Sequence, residues 1–280
     1  MKPKIAKPRK GLSRGIYLLP NLCTTASLFC GFFSIVKSLS GDAVMAAWAI
    51  LAAGIFDLLD GRIARLAHAE SQFGIEYDSL VDLVSFGLAP GILIYTWSLY
   101  TLKKLGWLAA FLYFACTAMR LARFNVQHDT VETKRFQGMP SPMAAYTLAT
   151  FVIFYHHFFT FPPERSWLSL GITIALAILM ISNIGYTSHK EFAFGTRKSF
   201  FFLVGLVGLI VIVAFNPEVT LFAIMVGYSA YGILRYVVEL FTKGLKKQKR
   251  KEKKKAIAAD VEETQKREKT KAEEERPHLH

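Results

Sequence analysis

The chain has 280 residues, 52% of them hydrophobic and only 20% charged, with a formal net charge of +13 and a mean hydropathy of +0.31. A disordered chain is far less apolar, and an ordinary soluble domain holds about 45 to 50% apolar residues even with Gly counted, so neither class fits. A membrane protein with basic ends satisfies both numbers. Its three cysteines, Cys23, Cys30 and Cys116, contain no C-x-x-C pair and make neither a disulfide framework nor a zinc site.

Stretches of roughly 17 to 25 mainly apolar residues mark membrane helices. In chain order they fall at about 16–36, 43–59, 83–101, 105–122, 143–161, 167–186, 199–215 and 219–241, eight in all. The first, Ile16 to Val36, is 21 residues long and is followed by no A-x-A site. It therefore reads as a membrane helix rather than a cleavable signal. Turn-forming residues separate the spans: Ser40-Gly41-Asp42, Pro162-Pro163 and Asn216-Pro217. Short connections make neighbouring helices antiparallel. The expected fold is an all-α polytopic membrane protein of about eight transmembrane helices. A basic tail (1–15) precedes the membrane domain (16–242), and a polybasic, flexible tail (243–280) follows it.

Charge orients this stack. With both termini in the cytoplasm, 30 of the 34 Lys and Arg lie inside, and only Lys37, Lys103, Lys104 and Arg165 lie outside. The block Lys243 to Lys255 has nine basic residues against Glu252, which suits the anionic cytoplasmic leaflet. No folded basic surface or aromatic platform accompanies it, so nucleic acid is not an expected partner.

The minority charges are more informative. Asp57-Leu-Leu-Asp60-Gly61-Arg-Ile-Ala64-Arg65 is followed, after eight residues, by Gly74-Ile-Glu-Tyr-Asp78-Ser-Leu-Val-Asp82. Ionisable residues at membrane depth are costly and point to function. On helices Asp57 and Asp60 (i, i+3) share a face, as do Asp78 and Asp82 (i, i+4). An antiparallel pair joining the end of the second span to the start of the third gathers four carboxylates at the cytoplasmic edge. Such a cluster needs a counter-charge. Hard cations such as Mg²⁺ or Mn²⁺ supply it, and Mg²⁺ typically joins one or two carboxylates to substrate phosphates. Arg65, with Arg62 beside it, suits phosphate oxygens. Gly61 and Ala64 lack bulk and let a base or phosphate approach the helix.

The run Asp57 to Asp82 reads D-x2-D-G-x2-A-R-x8-G-x3-D-x3-D and resembles, without a gap, the signature of the CDP-alcohol phosphotransferases. These membrane enzymes join a CDP-linked lipid to an alcohol and release CMP. The resemblance implies a pair of divalent metal ions on Asp57, Asp60 and Asp78, with Asp82 as a further ligand and as general base. It also implies a CDP-lipid pocket of Asp57, Asp60, Gly61, Ala64, Arg65 and Gly74, with Arg65 on the diphosphate, and a homodimer.

Neighbouring runs narrow the branch. Ser79-Leu-Val-Asp82-Leu-Val-Ser85-Phe86-Gly87-Leu-Ala89-Pro90, Arg120-Leu-Ala-Arg123-Phe124-Asn125 and Phe136-Gln-Gly138-Met-Pro140-Ser-Pro142 are similar to the membrane-bound phosphatidylserine synthases of bacteria and archaea. So is Leu19-Pro20-Asn21-Leu-Cys-Thr24 with Leu28-Phe-Cys-Gly31, although Ser27 stands where that branch usually has Asn. The resemblance spans residues from about 18 to 145 and implies CDP-diacylglycerol and L-serine as substrates, at the cytoplasmic membrane of a prokaryote. Arg120 and Arg123 (i, i+3) then offer bidentate contacts to the serine carboxylate, or act only as positive-inside anchors. Asn125 hydrogen-bonds the same ligand or ends its helix. Gly138 to Pro142 reads as a shaped turn, and His156 and His157 as interfacial residues at the outer end of the fifth span. Direct attack by serine inverts phosphorus, whereas a phosphoryl-enzyme retains its configuration, and no spare nucleophile accompanies the aspartates. The alternatives are a sibling enzyme using glycerol phosphate, inositol phosphate or choline and, from another class, a cation transporter. A transporter expects carboxylates near the midplane and a second related half.

Overall fold

A computed structural model describes residues 18–66, 71–128, 136–159, 167–182, 185–186, 207–208, 211–232 and 234. Contacts divide the chain into Met1–Gly232 and Ile233–His280, and the architecture below is that of the first unit. The basic N-terminal tail, the polybasic block and most of the expected seventh span lie outside the described residues.

Helix α1 (Leu18–Leu39) carries Thr24, Ser27, Gly31, Ser34 and Ser38 at three- and four-residue spacing, and all five are buried. Helix α2 (Ala43–Leu66) answers with buried Ala46, Ala47, Ile50, Ala53 and Gly54. In lipid the hydrophobic effect does not drive helices together, so small residues that let backbones approach provide the packing. Leu22, Phe29, Phe32 and Val36, on the other side of α1, stay exposed. Between the two helices Gly41 adopts φ +85°, and Asp42 caps α2 by accepting the Met45 N–H at 3.1 Å.

Helix α3 (Gln72–Asp82) starts at Ser71, whose hydroxyl accepts the Gly74 N–H at 3.0 Å. It passes through a π-helical turn, Leu83–Leu88, into α4 (Ala89–Trp97). The cause is local. An α-helical ladder would have the Phe86 carbonyl accept from residue 90, which is a proline without an N–H. That carbonyl accepts instead from the Tyr113 hydroxyl at 3.1 Å. A 3₁₀ turn (Leu99–Leu102) and Lys103, at φ 50°, lead into α5 (Lys104–His128).

Helix α6 (Ser141–Phe158) follows Pro140, and α7 covers Trp167–Ile181. Two residues before α6, Phe136–Gln137, pair antiparallel with Gly185–Tyr186, a short ladder in an otherwise helical unit. Residues 217–232 are helical and carry the start of the expected eighth span.

Among the described residues four helices are long and apolar enough to cross a membrane: Leu19–Leu39, Ala43–Leu66, Gln72–Trp97 and Lys104–Val126. Two boundaries differ from the sequence expectation. The second helix runs on from 59 to Leu66 and the third begins at Gln72 rather than 83, so all four aspartates lie within helices. Hydropathy fades where the carboxylates begin, whereas the backbone ladder does not. Helix α6 is long enough but less apolar, and α7, at 15 residues, is shorter.

Candidate active site

The last turns of α2 and the body of α3 bring the acids together as their spacing predicts. One carboxylate oxygen each from Asp57, Asp60 and Asp78 lie within 4.8 Å of one another. Asp82, one turn beyond Asp78, lies within hydrogen-bonding reach of Asp57. The Thr24 hydroxyl of α1 is within similar reach of Asp60. Oδ2 of Asp60 and Oδ1 of Asp82 are buried without a partner. Among the described residues no Lys or Arg forms an ion pair with any of the four. Converging oxygens, two of them orphaned and none ion-paired to a described side-chain cation, fit a hard divalent ion.

Around this cluster the small residues stay open. A Cβ at Gly61 would meet nothing nearer than the Arg65 guanidinium, at 4.0 Å. Arg65 lies back along its own helix, its Nε donating to the Gly61 carbonyl at 2.8 Å, and is exposed, as is Arg62. Gly74 faces Asn21 of α1, so the start of α3 and the Leu19-Pro20-Asn21 segment meet. Tyr77 meets Thr25 through their hydroxyls at 3.0 Å. Ser27, the atypical position, accepts a hydrogen bond from the Ser85 hydroxyl at its carbonyl, while its own Oγ is buried without a partner.

The three polar residues of α5 separate. Arg120 Nη1 donates to the Ser141 hydroxyl at 2.9 Å, and its Nε is buried with no partner. That nitrogen is therefore unpaired inside the fold, and Asp82, Tyr113 and Tyr228 surround the group. Arg123 instead donates to the carbonyls of Ile181 (3.1 Å) and Met180 (3.4 Å), closing the end of α7. Asn125 exchanges hydrogen bonds with the Ser79 hydroxyl, tying α5 to the neighbour of Asp78. Gly138 holds φ +85° against the Met180 and Ser182 carbonyls, and the Met139 N–H donates to Leu179 at 3.0 Å, so the expected turn is a dock for α7. His156 accepts from Trp97 Nε1 at 2.9 Å, away from the carboxylates.

Two aromatic residues near the cluster were not singled out from the sequence. Tyr146 of α6 and Tyr228 of the 217–232 helix arrive through tertiary packing, with no motif around them. The only local hint was Gly54, three residues before Asp57 on the same face, which leaves room for a large neighbour.

A family model described as CDP-alcohol phosphatidyltransferase matches residues 17–184. A CDP-diacylglycerol–serine O-phosphatidyltransferase of Helicobacter pylori J99 is 36% identical over 222 residues, 79% of this chain and 92% of that one. The protein of the same name from Bacillus subtilis 168 is 35% identical over 175 residues, 62% of this chain and 93% of that one. An archaetidylserine synthase of Methanothermobacter thermautotrophicus is 38% identical over 170 residues, 60% of this chain and 69% of its own.

Proposed function

The chain belongs to the CDP-alcohol phosphatidyltransferase family, and on that premise we propose that it transfers a phosphatidyl group from CDP-diacylglycerol to L-serine, giving phosphatidylserine and CMP. Among the observations, the one that carries this reading is the convergence of Asp57, Asp60 and Asp78, with Asp82 alongside, in a chain that aligns with nearly all of a serine phosphatidyltransferase.

Asp57, Asp60 and Asp78, with Asp82 beside them, would hold Mg²⁺ or Mn²⁺, a pair of ions by the family resemblance. Bound there, the metal would neutralise the diphosphate and the charge that develops on departing CMP. Arg65, free at its terminal nitrogens and one turn from Gly61, swings onto the diphosphate, while Gly61, Ala64 and Gly74 leave the space that the CDP head needs. Asp82 takes the proton of the serine hydroxyl as its oxygen attacks phosphorus; the P–O bond to CMP then breaks and CMP leaves with the electron pair. The Thr24 hydroxyl beside Asp60 is committed to the Pro20 carbonyl at 3.1 Å, which favours direct attack by serine and a single inversion.

The acceptor is held by Arg120. Its unpaired Nε belongs to the Nε–Nη2 side of the guanidinium, the fork that would bind a carboxylate bidentately, and serine is the only acceptor among the candidate alcohols that carries one. With Arg123 and Asn125 engaged by the protein, a phosphorylated acceptor would find one guanidinium with an unpaired nitrogen, which favours serine over glycerol phosphate or inositol phosphate. Choline would meet a like charge. Family membership leaves cation transport without support.

The enzyme works at the cytoplasmic membrane of a prokaryote, with the carboxylates facing the cytoplasm, eight spans, both termini inside and a second copy as partner. The bias of Lys and Arg supports that orientation. An acceptor panel with purified protein and CDP-diacylglycerol, scored by CMP release, tests reaction and acceptor together. Serine-dependent release is expected; release with glycerol 3-phosphate and not with serine would move the chain to a sibling activity.

A further inference from the structure

Helices α2 and α6 meet at one unusually close point. A Cβ on Gly54 would fall onto the phenol of Tyr146, nearest its hydroxyl. Gly54 lies three residues before Asp57, on the same face and one turn deeper along α2. The ring is fixed from the other side by Phe86, edge to face, with centroids 5.9 Å apart at 88°. Its position is thus set by packing on both sides. Among the described residues no hydrogen bond engages the Tyr146 hydroxyl, and the two charges that act on it are those of Asp57 and Asp82. These are the two acids within hydrogen-bonding reach of each other.

We propose that Tyr146 is a positioning residue for the Asp57–Asp82 pair, its hydroxyl, unengaged in this structure, poised to donate to one of the two carboxylates from the side of the apolar core, with Gly54 as the socket that admits it. The assignment rests on the reading of Asp57 as a metal ligand and Asp82 as the base, and it adds a residue from α6 to a site otherwise built by α2 and α3. A phenol suits the place. It donates one hydrogen bond, brings no charge into the membrane and presents an apolar ring to Phe86.

The test uses the full-length chain in detergent, with the hydroxyl removed by Tyr146→Phe, which keeps the ring, and the socket filled by Gly54→Ala. Mn²⁺ alone is titrated against the thermal midpoint, and kcat and KM are measured with CDP-diacylglycerol and serine. Tyr146→Phe is expected to keep the metal-free midpoint and both KM values, to lower kcat about tenfold and to need about tenfold more Mn²⁺ for the same thermal shift, as for other partners of metal-binding carboxylates. Gly54→Ala should reproduce these losses in the parent chain and add none in a Tyr146→Ala background, where the methyl has room. A Tyr146→Phe chain that matches the parent in both Mn²⁺ titration and kcat overturns the proposal, as do losses that only track a lowered metal-free midpoint. Full additivity of Gly54→Ala in the Tyr146→Ala background overturns the socket. The Mn²⁺ arm needs no acceptor, so it decides the positioning role even if serine proves to be the wrong alcohol.

Discussion

The two ends of the Gln72–Trp97 span are built on opposite rules. At the Trp97 end the polar groups are paired: Trp97 Nε1 with His156 at 2.9 Å, and the Ser98 hydroxyl with that of Ser169 at 3.0 Å, under the edge-to-face rings of Phe151 and Tyr155. At the Asp78 end polar atoms are buried and left over: Asp60 Oδ2, Asp82 Oδ1 and, nearby, Arg120 Nε. A satisfied buried pair adds stability and specificity of packing, whereas an orphaned one costs free energy until something binds. The contrast locates stability at one end of the helix and chemistry at the other.

Substitutions at each end break or sharpen that contrast. Asp78→Ala and Asp82→Ala should lower serine-dependent CMP release by about a thousandfold or more, as expected for a lost metal ligand or base, without lowering the metal-free thermal midpoint. Chelation of the parent chain by EDTA should do the same to turnover and be reversed by Mn²⁺; a chelated enzyme that still turns over would remove the metal from the reading. Arg120→Lys keeps the charge and loses the fork, so the KM for serine should rise about 10- to 100-fold while the KM for CDP-diacylglycerol stays put. Equal rises in both would mean that Arg120 serves the fold instead of the acceptor. At the other end, Trp97→Phe leaves His156 Nε2 without its donor and should cost about 1–2 kcal/mol of stability, read from denaturation in detergent, with kcat unchanged. Arg123→Lys should have the smallest effect, a loss of about 1 kcal/mol from the end of α7 and no change in the KM for serine. A raised KM there would return Arg123 to the acceptor pocket.

Much of this was legible in the sequence because the acids are close in it. Asp57 and Asp60 share one helical face, Asp78 and Asp82 another, and an antiparallel connection does the rest, so local periodicity nearly suffices to place them. What escaped was decided by partners far along the chain. Arg120 and Arg123 are equivalent by spacing, and only the position of α7 commits the second to the Met180 and Ile181 carbonyls. The boundaries of α2 and α3 differ from the apolar stretches because apolarity marks only the lipid-facing part of a helix, and both helices continue through their charged turns. Tyr146 and Tyr228 carry no local mark at all, since a tyrosine in an apolar helix is an ordinary lipid-facing or core residue until the helix opposite is known. Tyr113 was equally silent, although Pro90 in the sequence already meant that the Phe86 carbonyl would need another donor.

The π-helical turn Leu83–Leu88 sets the phase between the two ends of the span. A π turn is an α-helix with one residue added, and each residue of an α-helix turns the chain by about 100°. The wider turn absorbs its extra residue, so the flanking helices keep the phase they would have without it. Wound as a regular α-helix instead, the same residues would put the Asp78–Asp82 face about 100° out of register with Asp57 and Asp60 while the Trp97 end stayed locked against α6. In a family of such chains a one-residue gap in this span should fall in this segment, because there the loss of a residue leaves the acids aligned.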